Sequence, residues 1–326
     1  MKIENIKPFN GQHCETTATG TILLQLGIEL SEPMLFGLGE GLSFIYWNMK
    51  SMDFPFIGGR VKPDILTQNI AKNLNLELTV KETSSPQKAW TSVKELLHKG
   101  QIVGLKMDCF HLDYFSNPFH FAGHYAAIYG YDDQNALLID TIQQGGQVKT
   151  SLQSLALARA EKGSMASKNL YYTVKKSDKT FDLKTAISTA IRNNAAEYLN
   201  PPITNVAYKG ILKTSTEIIK WFHTSKNIEA EFGLSAMMME KAGTGGALFR
   251  NLYRDFLKES YELLNLDQLK TGYETFTEIA ELWTTVAQLF EKVSRTRDFQ
   301  YIQKASDILK TISDKEKKAM EILAML

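Results

Sequence analysis

From Phe276 onward the chain repeats apolar residues at steps of three and four. Phe276, Ile279, Trp283, Val286, Phe290 and Val293 form one stripe. Ile302, Ala305, Leu309 and Ile312, resuming at Ala319, Leu323 and Leu326, form a second. A helix, at about 3.6 residues per turn, gathers such positions on one side; a strand scatters them over both faces. The segment Ser294-Arg-Thr-Arg-Asp298 between the stripes is polar and short. The spacing therefore predicts an αα-hairpin. Its apolar faces need cover. Packing within the chain is the expected case, and a homodimer is the alternative.

Glycine divides the rest. Fifteen of the 21 glycines lie at or before residue 177 and six beyond it, which predicts loops and strands first and helices after. Helices are expected from Cys14 to about Leu26, stopped by Gly27, from about Pro63 to Leu74, and after the cap Ser85-Pro86 as far as Gly100. Strands are expected at Leu76–Val80, Ile102–Met107, His124–Tyr131, Ala136–Asp140 and Leu170–Val174, with a glycine-rich turn over Phe36–Phe44. Mixed helices and clustered strands make residues 1–177 an α+β domain, followed by a mostly α-helical domain over 178–326.

Charge excludes several functions. Lys and Arg number 37 and Asp and Glu 36, a net charge of +1. This is neither the basic surface of a nucleic-acid binder nor an acidic tail. No apolar run reaches the roughly 18 residues of a membrane span, and Met1–Glu15 lacks the apolar core of a signal peptide. Two cysteines, Cys14 and Cys109, make no disulfide framework, so the reducing cytoplasm is the expected compartment.

The chemistry-bearing residues are few. Cys14 opens a predicted helix, where unpaired N–H groups and the helix dipole favour a thiolate. His124 begins one strand and Asp140 ends the next. A short turn makes these strands antiparallel, which brings the two side chains together. A carboxylate that orients an imidazole, which activates a thiol, is the pattern of nucleophilic catalysis.

In this setting, Gly11-x-His13-Cys14-x-Thr-Thr, Gly123-His-Tyr-Ala-Ala-Ile-Tyr-Gly-Tyr-Asp-Asp133 and Leu137-Leu-Ile-Asp140 resemble papain-like cysteine enzymes of the bacteriocin-leader peptidase type. With Phe36-Gly-Leu-Gly-x-Gly-Leu-x-Phe44, Gly59-Arg60, Asp108-x-x-His-Leu-x-Tyr114 and Gly243-Thr-Gly-Gly-x-Leu-Phe-Arg250-x-x-Tyr253, the chain more closely resembles the butirosin-biosynthesis protein H family. That resemblance implies a papain-like domain and a helical domain covering its cleft. It also implies an acyltransferase of antibiotic biosynthesis. An acyl or aminoacyl group would pass from the phosphopantetheine thioester of an acyl carrier protein, through Cys14, to the amine of a small molecule such as an aminoglycoside. Cys14 is then the nucleophile, His124 the base and Asp140 its orienter, with no bound cofactor. A cysteine hydrolase with the same triad, whether peptidase, amidase or thioesterase, and a non-catalytic binding protein are the alternatives.

One departure concerns the oxyanion. Papain-like enzymes carry a Gln about six residues before the cysteine, and here that position is Pro8, which donates nothing. The Cys14 amide is one expected donor, and the amides of Gly37, Gly39 and Gly41 are candidates for the second. Asp108 is a candidate contact for a cationic acceptor and Tyr114 a further substrate contact. Arg250 is a candidate for a pantetheine phosphate, with Tyr253 in the acceptor wall. Cys109, His111, His120 and His124 read poorly as a metal cluster, because pairing His120 with His124 needs a helix where the sequence alternates as a strand. No metal is expected.

Overall fold

The computed structural model describes residues 1–50, 52–117, 119–163 and 166–326. In chain order its elements are α1 (Cys14–Gln25), α2 (Glu32–Leu38), β1 (Leu42–Trp47), β2 (Phe56–Arg60), α3 (Ile65–Asn73), β3 (Leu76–Lys81), α4 (Pro86–His98), β4 (Val103–Met107), β5 (His124–Tyr131), β6 (Asn135–Ile139), β7 (Gln147–Ser151), α5 (Leu152–Ala160) and β8 (Tyr171–Lys176). Helices follow: α6 (Leu183–Leu199), α7 (Ala207–Thr224), α8 (Ile228–Lys241), α9 (Arg250–Leu264), α10 (Asp267–Thr296) and α11 (Phe299–Leu323). The chain is mixed α+β, sheet first and helices second. It forms two compact units, Met1–Leu35 with Pro63–Phe181, and Phe36–Lys62 with Asp182–Leu326. Among the described residues, no helix is long and apolar enough to cross a membrane.

The first unit is built on a sheet of order β3-β8-β4-β5-β6-β7 among the described residues, antiparallel at every pairing. Strand β5 is buried from His124 to Gly130, which is why its sequence is almost unbroken in apolar and small residues. Val93 and Leu97 of α4, and Leu155 and Ala158 of α5, share one core with Leu105, Ala126, Ile128 and Leu138 of the sheet. Helix α1 packs on β5 and is buried from Glu15 to Leu23. An apolar stripe of Ile22, Leu23 and Leu26 under-reads such a helix, because its threonines are also inside. Their hydroxyls are satisfied locally: Thr17 Oγ1 donates to the His13 carbonyl at 2.7 Å and Thr21 Oγ1 to that of Thr17 at 2.8 Å, which makes burial tolerable.

The second unit takes in a segment that a single cut at residue 177 assigns to the first. Strands β1 and β2 pair antiparallel. Ile45 bridges to Val206, and the Tyr46 amide donates to the Asn205 carbonyl at 3.0 Å. Phe44 stacks on Trp283. The glycine-rich stretch expected as a turn is thus the end of α2 and the start of β1. Composition along the chain cannot reveal such a long-range partner. The predicted hairpin is α10 and α11. Every stripe residue from Phe276 to Val293 is buried, as are Ile302, Ala305, Leu309, Ile312, Ala319 and Leu323. Helix α10 continues through Ser294–Thr296, so the reversal is only Arg297, at φ 55°, and Asp298, whose carboxylate accepts from the Gln300 amide.

Candidate active site

Strands β5 and β6 bring the start of one beside the end of the other. His124 opens β5 and Asp140 follows β6, and the His124 Nε2 lies 2.7 Å from the Asp140 Oδ2. A carboxylate only accepts, so Nε2 carries the proton and Nδ1 is left for another partner. The buried Asp140 carboxylate is further held by the Tyr114 hydroxyl at 2.7 Å on Oδ2 and by the Thr141 amide at 2.6 Å on Oδ1. Burial alone disfavours an imidazolium. The adjacent Asp140 charge outweighs it and holds His124 well above the ordinary imidazole range. Burial, and then the same carboxylate, push Tyr114 well above the usual phenol range, so it stays a donor.

Cys14 is the first residue of α1, half-exposed, behind the N-cap His13. The loop that delivers it is fixed from two sides. Both Glu32 carboxylate oxygens accept from the Gln12 amide, at 3.0 and 2.9 Å, and Oε1 also accepts from the His13 amide and the Thr16 hydroxyl, each at 2.8 Å. The Ile142 amide, two residues beyond Asp140, donates to the Gly11 carbonyl at 3.0 Å. The cysteine loop is therefore tied to the segment that carries the carboxylate. Gly11 permits this approach, since a Cβ there would lie 2.4 Å from Thr17 Oγ1.

Cys109 belongs to the same cluster. The Met107–His124 pair ends the β4–β5 ladder, and two residues on, Cys109 starts a short 3-10 turn, Cys109–His111, buried to 1% exposure. It lies close enough to His124 for the two to influence each other's charge. Burial pushes it up from the ordinary thiol range, against the pull of His124 and with Cys14 close enough to raise it further. Tyr114 feels Asp140, Cys109 and Cys14. Five side chains of one unit, Cys14, Cys109, Tyr114, His124 and Asp140, thus share one electrostatic neighbourhood. Glu32 and Cys109 join the residues expected from the sequence. No local pattern marks Glu32, whose partners lie 16 to 20 positions away. The end of the β4–β5 ladder is the signal for Cys109.

The remaining candidates have partners other than those expected. Tyr114, expected to touch substrate, is a partner of Asp140. Asp108 is a buried turn residue whose carboxylate accepts from the Phe110 amide at 2.8 Å. Gly37, Gly39 and Gly41 lie in the second unit. A Cβ on Gly37 would fall 2.1 Å from Phe256, and the Gly41 amide donates to the Phe36 carbonyl at 3.0 Å. Close packing is the reason for the first, and the second is committed as a donor.

Arg250 and Tyr253 correct the sequence reading outright. Arg250 is 0% exposed. Its Nε and Nη2 meet the two Glu316 oxygens at 2.9 Å each, and its Nη1 donates to the carbonyls of Gly59 and Leu248. Trp283 Nε1 donates to the same carboxylate at 2.9 Å, and the Tyr198 hydroxyl does so too. Four of its five N–H donors are spent on these groups, and the fully buried guanidinium offers no surface to a phosphate. Tyr253 is equally enclosed, its ring against Phe256 and Phe276 and its hydroxyl toward Met320 Sδ. Both hold the helical unit together.

Residues 13–141 match the family described as butirosin biosynthesis protein H, N-terminal. Residues 153–323 match a domain of unknown function, DUF4872. No curated protein matches the chain.

Proposed function

The chain belongs to the butirosin biosynthesis protein H family, with that family's N-terminal domain followed by a DUF4872 domain, and from this premise we propose that it is a cysteine-dependent acyltransferase of antibiotic biosynthesis. Cys14 is the nucleophile, His124 the proton carrier and Asp140 its orienter, on a papain-like domain. The observation that supports this reading is the pairing of His124 with Asp140 beside a backbone bond, Ile142 to Gly11, that anchors the cysteine loop to the same segment.

The donor in this reading is an acyl or aminoacyl thioester on the phosphopantetheine of a carrier protein. The Cys14 thiolate attacks the thioester carbon, and the carbon–sulfur bond to pantetheine breaks. The leaving thiolate takes its proton from the His124 imidazolium. An amine of the acceptor then attacks the acyl-enzyme. His124 removes the amine proton, the bond to the Cys14 sulfur breaks, and an amide leaves. Thioester exchange costs little, and the amide makes the second half downhill. His124 is suited to both steps because Asp140 stabilises its protonated form while fixing its ring.

A second reading has one observation in its favour. The thiol that lies in the charge environment of His124, two residues beyond its strand partner Met107, is that of Cys109, which would make Cys109 the nucleophile. Its near-complete burial and upward-shifted thiol weigh against it, since the thiolate is the attacking form. Incubation with acyl-pantetheine thioesters, with and without amines, tests the function itself. Amide product supports the transferase. Free acid alone indicates a hydrolase at the same residues, and tight binding without turnover a binding protein.

A further inference from the structure

The loop between β4 and β5 carries a second cluster, outside the triad. His111 Nε2 lies 2.7 Å from Glu161 Oε2. His120 completes a group whose three donor atoms, one from each residue, all lie within 4.8 Å of one another. They come from three places in the first unit: the 3-10 turn Cys109–His111, the approach to β5, and the C-cap of α5. A hydrogen bond between His111 and Glu161 has no need of the third residue, yet the His120 ring lies beside it. It stacks on Phe110 with centroids 4.0 Å apart and planes 15° apart, and its Nδ1 sits 3.5 Å from Asp108 Oδ1.

We infer that His111, His120 and Glu161 bind a divalent transition-metal ion of the zinc class. Two imidazoles and one carboxylate are a donor set suited to such an ion. Metal–ligand bonds of about 2.0–2.2 Å place tetrahedral donors about 3.4 Å apart. The present spacing closes to that value if His111 and Glu161 part slightly and the exposed His120 ring moves inward. Carboxylates that would support such ligands lie nearby. Binding through the His120 Nε2 leaves Nδ1 3.5 Å from the buried Asp108 carboxylate, which a small movement of the ring would bring within the hydrogen bond that orients metal-binding histidines. The Glu161 Oε1 accepts from the Lys162 amide at 3.0 Å, which leaves Oε2 to the ion. Three protein ligands on a partly exposed surface leave a fourth position for water.

The ion would tie His111 to His120. The chain between them carries Tyr114, which donates to Asp140, and Phe115, whose ring meets the His124 ring edge-on at 5.3 Å. Metal binding would thus stiffen the segment that backs the His124–Asp140 pair.

The test is equilibrium dialysis of the chelator-stripped full-length chain against Zn²⁺, with bound metal measured by mass spectrometry. Single His111→Ala, His120→Ala and Glu161→Gln variants are compared with a Cys14→Ser/Cys109→Ser double variant. The expected result is about one Zn²⁺ per chain, with affinity reduced about tenfold or more in each of the three single variants and unchanged in the double variant. Co²⁺ substitution should then give ligand-field bands without a thiolate charge-transfer band. Circular dichroism in metal-free buffer checks that each variant is folded, and His120, on the surface, is the substitution least able to disturb the fold. Absence of stoichiometric uptake would overturn the inference. So would uptake that survives all three single variants, or uptake that vanishes in the cysteine variant and reports a thiolate site.

Discussion

At Asp140 three donors converge on one buried carboxylate: His124, Tyr114 and the Thr141 amide. Removing one of them leaves a lone pair that water cannot reach. Tyr114→Phe deletes a single hydroxyl and should lower unfolding free energy by about 1–3 kcal/mol, the range for a hydrogen bond to a buried charged group. A urea titration measures it; an unchanged midpoint would mean that Tyr114 does not hold the carboxylate. Arg250 presents the same logic on a larger scale. Arg250→Ala strands the Glu316 carboxylate, which is 0% exposed, without its bidentate partner. The expected loss is about 3–5 kcal/mol, the cost of breaking a buried ion pair from one side, again read by urea titration. A loss under about 1 kcal/mol, the range of exposed pairs, would contradict this role. Sequence alone cannot distinguish such an arginine from a solvated one. The residues N-terminal to it are glycine-rich, but the partner that decides its environment lies 66 positions away.

At the scale of elements, what is legible from sequence follows the range of the interactions. Strand β5 is read correctly at both ends, and α4 begins after the expected cap, where Ser85 Oγ accepts from the Lys88 amide at 3.2 Å. Caps and alternation are local signals. The His124–Asp140 pairing is legible for the same reason, since a short turn joins their strands. Strands β1 and β2 are not legible, because their side-chain and bridge partners lie in the helical half of the sequence. Strand β7 carries no alternation a reader would trust, with exposed or half-buried residues at four of its five positions. The family boundary raises a related point. Strand β8 lies within the DUF4872 match, yet it sits between β3 and β4 in the first unit's sheet. A chain cut after residue 150 therefore loses an internal strand, and its β3 loses its partner. The 1–150 fragment should show no cooperative thermal unfolding by circular dichroism. A sharp transition in that fragment would mean that the sheet closes without β8.

For the molecule as a whole, the proposed reaction depends on one thiol. Two cysteines lie in the same neighbourhood. One is half-exposed at the start of a helix, and the other is buried near the histidine. The first is open to solvent, and the second shares the charge environment of His124. Fold and family bear on the class of reaction, while the choice of sulfur is a matter of chemistry. The deciding measurement is the site of the acyl adduct. Wild type, Cys14→Ala and Cys109→Ala are each incubated with an acyl-pantetheine thioester in the absence of amine. Intact-protein mass spectrometry then reports the added mass, and peptide mapping locates it. The account expects one acyl group on the peptide that contains Cys14 in the wild type and in Cys109→Ala, and none in Cys14→Ala. An adduct on Cys109, or one that persists when Cys14 is replaced, would contradict it.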